Sequence, residues 1–538
     1  MILTFLFLLA APHVTIQIDP AKPRQTIDGF GATFTSQVQG GQQTLTPAQR
    51  RTAGDLLFRT LRINLGNVDG WVPDRDFAGA PELISGLYPG KITLSWGNPR
   101  LRALRDADYE RFLDEVAGMM VGWVKRWEQT WGFPPRYVMP FNEPTWGNKE
   151  LARPRGPAAD REMADILKRG GKRLREAGYK DILFVFPNQE TIDSSRTTAE
   201  NVLQDAEARQ YIGRIGYHEY PYGSEMTSIR RVLERADRGE HGTVESRTAL
   251  RALAEKYHLP LWMSEVARPE WDYKEDGLDA RDFRLVRGRA NHIQSEFLIA
   301  RASAFFGMNA MWNRTAHEAH YKNRPMGDMY AVEGDNLVLF DQKFDSWFPT
   351  GLAYAVGHYS RWITPGETVV LESASSDPLV AVTGFRDNAK HRYVAVVVNN
   401  DTRPHRIDIK VGQDSWPARG RGAAEQSTET AYWQPIRITG AIELPARSVT
   451  TLTEGEPVRG SAPRVRARVK GAILEGSVTG RSRGIAWIQV SGPGRATIDT
   501  PASLRTTVSN LQAGEYVFRL FAVGEDWRAG STVVRLRR

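Results

Sequence analysis

The sequence predicts an α/β protein built on a (β/α)8 TIM barrel, with a side β-sandwich and a separate C-terminal immunoglobulin-like β-sandwich. Three observations carry the prediction. Between Gln25 and Asn313, short apolar runs alternate with amphipathic stretches to give eight strands, mostly followed by helices; alternation repeated in this way closes into a barrel. After Gly366 the helical period disappears, and short strands of period two take over, separated by turn residues. From Glu454 to Pro463 the chain turns to Gly, Pro and Ser, and a last set of short strands follows. A doubly wound open sheet would carry a Gly-rich phosphate fingerprint after an early strand, and this sequence has none.

In chain order, Val14 to Ile18 alternates as a short strand. The first barrel strand lies in Gln25 to Phe34, where Gly29 and Gly31 allow close backbone approach. Pro47 to Arg59 reads as a helix capped by Thr46, with Pro47 at the first helical position, where a missing N–H costs nothing. Thr60 to Gly66 is the second strand and carries Arg62; Lys91 to Trp96 is the third. Tyr109 to Thr130 is a long helix with Phe112, Val116, Met119, Met120 and Trp123 on one face. Tyr137 to Phe141 is the fourth strand, and a helix spans roughly Asp160 to Glu176. Strands five and six are Asp181 to Phe186 and Arg214 to His218. A helix at Ser246 to Tyr257 leads into strand seven, Leu259 to Glu265, and one at Ala290 to Phe306 leads into strand eight, Met308 to Asn313.

Composition bounds the chemistry. A chain of 538 residues is too long for one domain. It has no cysteine, which excludes thiol catalysis, disulfides and Cys-type zinc sites. Residues 457–538 carry 14 Lys/Arg against 5 Asp/Glu, so the net charge of +8 resides in the last module. That basic module reads as a solvated face or a contact for an acidic polysaccharide or anionic surface rather than for nucleic acid. The first eleven residues are apolar and end in small ones, like the end of a secretory signal. They are too short to span a bilayer. Export, to the periplasm or outside the cell, is the expectation.

Function in a barrel of this kind sits at the C-terminal ends of the strands, so the polar residues there are the candidates. Strand four ends at Asn142-Glu143-Pro144 and strand seven at Ser264-Glu265. Two carboxyls facing each other across a barrel mouth suit glycoside cleavage. A separation of roughly 5–5.5 Å gives retention, and roughly 6.5–9.5 Å gives inversion. Arg62 is the candidate cation that keeps a nucleophile charged, and Tyr220 a candidate hydrogen-bond donor to it. Asn142 can bond a sugar 2-hydroxyl, His218 lines the site or serves the core, and Trp312 and Trp96 are candidate walls for a sugar ring. Glu219 is expected to point outward, because its neighbours claim the inward positions. Glu190 is a rival carboxylate, and Arg314 is a loop salt bridge or a contact for an acidic substituent. No helix carries a His-x-x-x-His or HExxH pair, so the sequence offers little for a metal.

Residues 14–453 resemble clan A retaining glycoside hydrolases, and most closely glycoside hydrolase family 30. The carriers are Gln25-Thr-Ile-Asp-Gly-Phe-Gly31, Met139-Pro-Phe-Asn-Glu-Pro144, Trp262-Met-Ser-Glu265 and Tyr354-Ala-Val-Gly-His-Tyr-Ser-Arg-Trp-Ile-Thr-Pro-Gly366; in the last, Trp362 and Thr364 depart from the family pattern. The resemblance implies Glu143 as acid/base, Glu265 as nucleophile, no cofactor, and a side sandwich that takes in the N-terminal strand. The tail, through Gln489-Val-Ser-Gly-Pro-Gly494 and Leu511 to Phe518, resembles PKD-type modules. The expected organisation is a signal segment at 1–11, an N-terminal strand at 12–24, a catalytic barrel at 25–365, the side sandwich at 366–453, a linker at 454–463 and the immunoglobulin-like module at 464–538. The expected activity is hydrolysis of a β-linked polysaccharide or oligosaccharide, with β-1,6-galactan or glucan, xylan and β-glucosides as the substrate classes. The rival readings are a transglycosylase using the same residues and a non-catalytic carbohydrate-binding barrel.

Overall fold

The structure is a computed structural model and describes residues 13–35, 45–69, 87–90, 99–145, 155–220, 229–240, 243–266, 278–314, 336–417, 421–438, 442–455 and 458–538. Its strands are β1 (His13–Thr26), β2 (Gly29–Thr35), β3 (Leu65–Asp69), β4 (Leu87–Gly90), β5 (Tyr137–Val138), β6 (Leu183–Pro187), β7 (Ile212–His218), β8 (Leu261–Glu265), β9 (Ala302–Asn313), β10 (Asn336–Asp341) and β11 (Ser346–Pro349), followed by the strands of the two sandwiches. The principal helices are α1 (Pro47–Gly54), α2 (Pro99–Ala107), α3 (Tyr109–Trp131), α4 (Pro157–Glu176), α5 (Ile192–Leu203), α6 (Ala206–Arg209), α7 (Ile229–Ala236), α8 (Glu245–Tyr257), α9 (Phe283–Ser295) and α10 (Gly351–Ser360).

Strands β2 to β9 form one curled sheet in the order β4-β3-β2-β9-β8-β7-β6-β5, and every pairing along it is parallel. This is the expected (β/α)8 barrel, with helices between most successive strands among the described residues. Inward side chains from alternate strands fill its interior, among them Leu65, Tyr137, Val185, Trp262 and Phe306. At the N-terminal end of the sheet, Asp28 ties four strands together. Its carboxylate accepts from Arg214 Nε at 2.9 Å, Trp262 Nε1 at 2.7 Å and the Ser303 hydroxyl at 2.7 Å. Gly29 and Gly31 are needed beside it, since a Cβ at Gly29 would sit 2.0 Å from Asn64 Oδ1 and one at Gly31 would sit 2.2 Å from the Phe306 ring.

Local chemistry sets the helix ends. Thr46 and Gln49 cap α1 reciprocally, with Pro47 in its first turn. Asp108 caps α3, and Gly132, at φ 84, ends it. Two expectations need correction, and a third falls outside the described residues. The second strand begins at Leu65 rather than Thr60, because α1 continues as a π-helical turn to Thr60 and Arg62 breaks the chain at φ 52. The helix expected over 290–306 is instead α9 with a π-helical turn to Ala300, and Arg301 at φ 55 switches the chain into β9. A short, mostly apolar stretch such as Ala302 to Phe306 does not tell strand from helix by period alone. The third strand expected at Lys91 to Trp96 lies outside the described residues, and the strand in that order is β4.

β1 lies between residues 405–411, in parallel, and residues 368–375, antiparallel, so the chain's first strand belongs to the sheet built from residues 366–454. On the face of that sheet, α10 presents His358, which is fully buried. Its Nδ1 lies 2.8 Å from Thr451 Oγ1 and its Nε2 lies 2.8 Å from Ser427 Oγ. Burial, reinforced by Arg361, pushes its pKa from 6.5 down to about 3. Between these values the unfolded chain binds the extra proton, so this contribution is complete above about pH 6.5 and is lost as pH falls toward 3. At pH 5 the expected loss is about 2 kcal/mol, from ~1.4 kcal/mol per pH unit. Urea denaturation at pH 7 and pH 5 measures it. The His358→Asn chain should lack this part of the pH dependence, and an unaltered dependence would contradict the assignment.

The last module is a sandwich of a four-stranded and a three-stranded sheet, and it is docked rather than tethered. Residues 431–432 of the side domain pair with Ala529–Gly530 and extend one of its sheets. Trp527 is 2% exposed and donates from Nε1 to Asp55 at 3.0 Å; its carbonyl accepts from the Tyr354 hydroxyl at 3.0 Å. Arg528 reaches Glu425 at 2.5 Å, and Glu425 also holds Arg361 at 2.6 Å. Phe521, Trp527 and Ala529 share one apolar cluster with the barrel residues Phe340, Phe348 and Tyr354. Truncating Trp527 to Ala should therefore destabilise the whole chain by about 3–5 kcal/mol in denaturant titration, whereas a loss below about 1 kcal/mol would mean that the module is loosely held. No helix among the described residues is long and apolar enough to cross a membrane.

Candidate active site

Four parallel strand ends build the site. Beyond β5 the chain runs through Met139 and Phe141, both buried, to Asn142 and Glu143. At Glu143 the backbone enters the left-handed region, with φ 49. For a non-glycine residue this costs on the order of 1–3 kcal/mol and persists only where surrounding contacts hold it. Here the Glu143 N–H donates to the Asn188 carbonyl at 2.8 Å. Asn188, just past β6, accepts from the Ser264 hydroxyl at 2.7 Å on β8 and donates its own N–H to Gly216 at 2.9 Å on β7. Gly216 leaves the room for this, since a Cβ there would lie 2.1 Å from Asn188 Oδ1. One asparagine thus couples the ends of four strands.

β7 and its extension supply the polar partners. His218 is fully buried, and its Nδ1 lies 3.1 Å from Glu143 Oε1. The Tyr220 hydroxyl donates to Glu265 Oε1 at 3.3 Å and lies 2.9 Å from Met308 Sδ. Glu265 ends β8 and is 5% exposed. One carboxylate oxygen of Glu143, one of Glu265 and a His218 nitrogen all lie within 4.8 Å of one another.

The structure therefore brings Glu143, His218, Tyr220 and Glu265 into one constellation. Asn142 is buried beside Glu143 at the same strand end. Trp312 is buried near the end of β9, on the same rim of the barrel. Trp96 lies outside the described residues. Arg62 is a correction. It precedes β3, so it sits at the opposite end of the sheet from Glu265. There it lines a recess of about 390 Å³ with Arg361, Trp362 and Trp527. Glu190 pairs with Arg155, and Arg314 lies 3.8 Å from Asp341, a salt bridge within the fold. Asn188 and Met308 were not anticipated, because nothing in local sequence marks a residue that works through its backbone or its sulfur.

Two groups bring ligand atoms of metal-binding type within 4.8 Å: Glu143, His218 and Glu265, and separately Glu219, His292 and Glu296. Carboxylates with imidazole would suit a divalent cation. In the second group the Arg247 guanidinium already supplies positive charge, 2.7 Å from both carboxylates.

Comparison with known proteins agrees with this architecture. Residues 463–536 match a family model for a PKD domain. A comparison with curated protein sequences finds no significant match. Several solved structures are similar over 82% of the chain. The catalytic domain of the glycoside hydrolase family 30 xylanase C from Talaromyces cellulolyticus aligns over 99% of its own length at 17% identity and a TM-score of 0.57. A family 30 subfamily 8 xylanase from Clostridium acetobutylicum aligns over 99% of its length at 18% identity and 0.55. An endo-β-1,6-glucanase aligns over 93% of its length at 16% identity and 0.54. The structures similar to most of this chain are thus family 30 xylanases and related glycoside hydrolases, and at these identities the likeness establishes the shared fold.

Proposed function

We propose that the chain hydrolyses β-glycosidic bonds with retention of configuration, by double displacement. The observation that carries this reading is the approach of the Glu143 and Glu265 carboxylates to within 4.8 Å at two strand ends of one barrel. That spacing is close to the roughly 5–5.5 Å of a retaining pair and leaves no room for the water that an inverting pair holds between its carboxyls. Glu265 is the nucleophile. Its oxygen bonds to the anomeric carbon while the glycosidic C–O bond breaks, and Glu143 delivers its proton to the leaving oxygen. Glu143 then takes a proton from water, whose oxygen attacks the same carbon and frees Glu265. The Tyr220 hydroxyl supports the ionised form of Glu265 by hydrogen bonding. His218 holds the acid. Asn142 reads the sugar 2-hydroxyl, and Trp312, near the end of β9, walls the sugar ring. The two carboxyls suffice for these steps.

A β-linked polymer is the proposed substrate class, with xylan and β-1,6-glucan, the substrates named for the similar structures, ahead of β-1,6-galactan and simple β-glucosides. The apolar N-terminal run supports export, and the basic module supports contact with an acidic polysaccharide or anionic surface. Replacement of each glutamate tests the roles. Glu265→Ala should lose turnover and regain it with azide, which releases an α-glycosyl azide. Glu143→Ala should fall about 10²–10⁴-fold on polymer while keeping turnover of aryl glycosides with good leaving groups. Unaltered polymer turnover in Glu143→Ala would overturn the assignment.

A further inference from the structure

The strand that carries His218 and Tyr220 has a second face. Side chains alternate along an extended chain, so Tyr217 and Glu219 point away from the site and toward the helix layer. There they meet a buried ionic cluster. On α8, Arg247 Nη2 lies 2.7 Å from Glu219 Oε2 and 2.7 Å from Glu296 Oε1. On α9, His292 Nε2 lies 2.8 Å from Glu219 Oε2, and Arg289 Nη1 lies 3.1 Å from His292 Nδ1. The Tyr217 hydroxyl donates to Glu296. A guanidinium can only donate, so His292 Nδ1 accepts from Arg289, and the proton on Nε2 is given to Glu219. Two carboxylates then share the Arg247 guanidinium, Arg289 backs His292, and all six residues are 1% exposed or less. Burial alone would raise the Glu296 pKa, but Arg247 and His292 outweigh it and hold that carboxyl below its usual range. Burial would likewise lower that of Arg247, yet Glu219 and Glu296 push it up.

A buried ion cluster adds little stability over apolar packing of the same volume, but losing one member leaves an uncompensated buried charge. What it supplies is position. We propose that Glu219 is a positioning residue for the reaction. Its carboxylate, fastened to Arg247 and His292, fixes the backbone from which His218 reaches Glu143 and Tyr220 reaches Glu265. One anchor behind the barrel wall thereby sets both glutamates at once. This inference rests on the glycosidase reading, and it adds a residue that touches neither substrate nor the reacting atoms.

The test is Glu219→Gln in the full chain, which keeps size but turns an amide N–H toward a donor. With an aryl β-glycoside, kcat should fall about tenfold or more while KM stays within about twofold, as for misplacement of a reacting group. The limbs of the pH–rate profile should move, because loosening the Tyr220–Glu265 hydrogen bond alters the surroundings of the reacting carboxylate. The Met308 methyl resonance, in contact with the Tyr220 hydroxyl, should shift. A fold that is merely less stable would scale the profile without moving its limbs. If Glu219→Gln does not fold, Arg247→Lys removes the fork but keeps the charge and is read in the same way. A folded variant with kcat, both limbs and the Met308 signal unaltered overturns the proposal. A wild-type chain without glycosidase activity would sink the functional reading instead, while the Met308 signal would still report on the anchor.

Discussion

Two carboxylates held within 4.8 Å of each other in a mostly buried site repel unless each has its own partner. Everything around Glu143 and Glu265 answers that constraint. His218 faces one and Tyr220 the other. The strained backbone at Glu143 is fixed by Asn188, which is itself tied to the ends of β7 and β8. The barrel supplies the frame in which four strand ends can meet. Asp28 closes its opposite end by joining Arg214, Trp262 and Ser303. The barrel is thus tied at the end opposite the site.

Much of this was legible in the sequence, for physical reasons. Glu143 and Glu265 stand at the ends of apolar runs too short for helices, and the order of strands assigned them to one rim. Period-two alternation also gave the outward direction of Glu219, with His218 and Tyr220 inward. Arg62 was misread because a strand end and a helix-to-strand turn look alike when Leu61 and Ile63 flank it. Only the left-handed backbone at Arg62 separates the two, and no residue type requires it there. The β9 boundary failed similarly, since Ala302 to Phe306 is a short stretch with only Ser303 polar, which period alone does not assign to strand or helix. Asp28 was visible as part of a glycine-rich motif, but its role as a floor joining distant strands depends on contacts up to 275 residues apart in the chain.

The C-terminal module alters the picture of the chain as a barrel with an appended domain. Its strand 529–537 accepts residues 431–432 as a partner, and Glu425 sits between Arg361, just past α10, and Arg528 of the module. Burial of Trp527 and Phe521 against Tyr354, Tyr432 and Phe348 makes the interface part of the barrel's own core. The module's basic strands therefore hold a fixed orientation relative to the barrel.

On the proposed mechanism, the spacing of Glu143 and Glu265 imposes two displacements at the anomeric carbon. Proton NMR of the first-formed reducing sugar, recorded before mutarotation, measures this directly on the untouched chain. The account predicts a β-configured product from a β-glycoside. An α-configured first product would require water between the carboxylates, and would contradict the geometry on which the account stands.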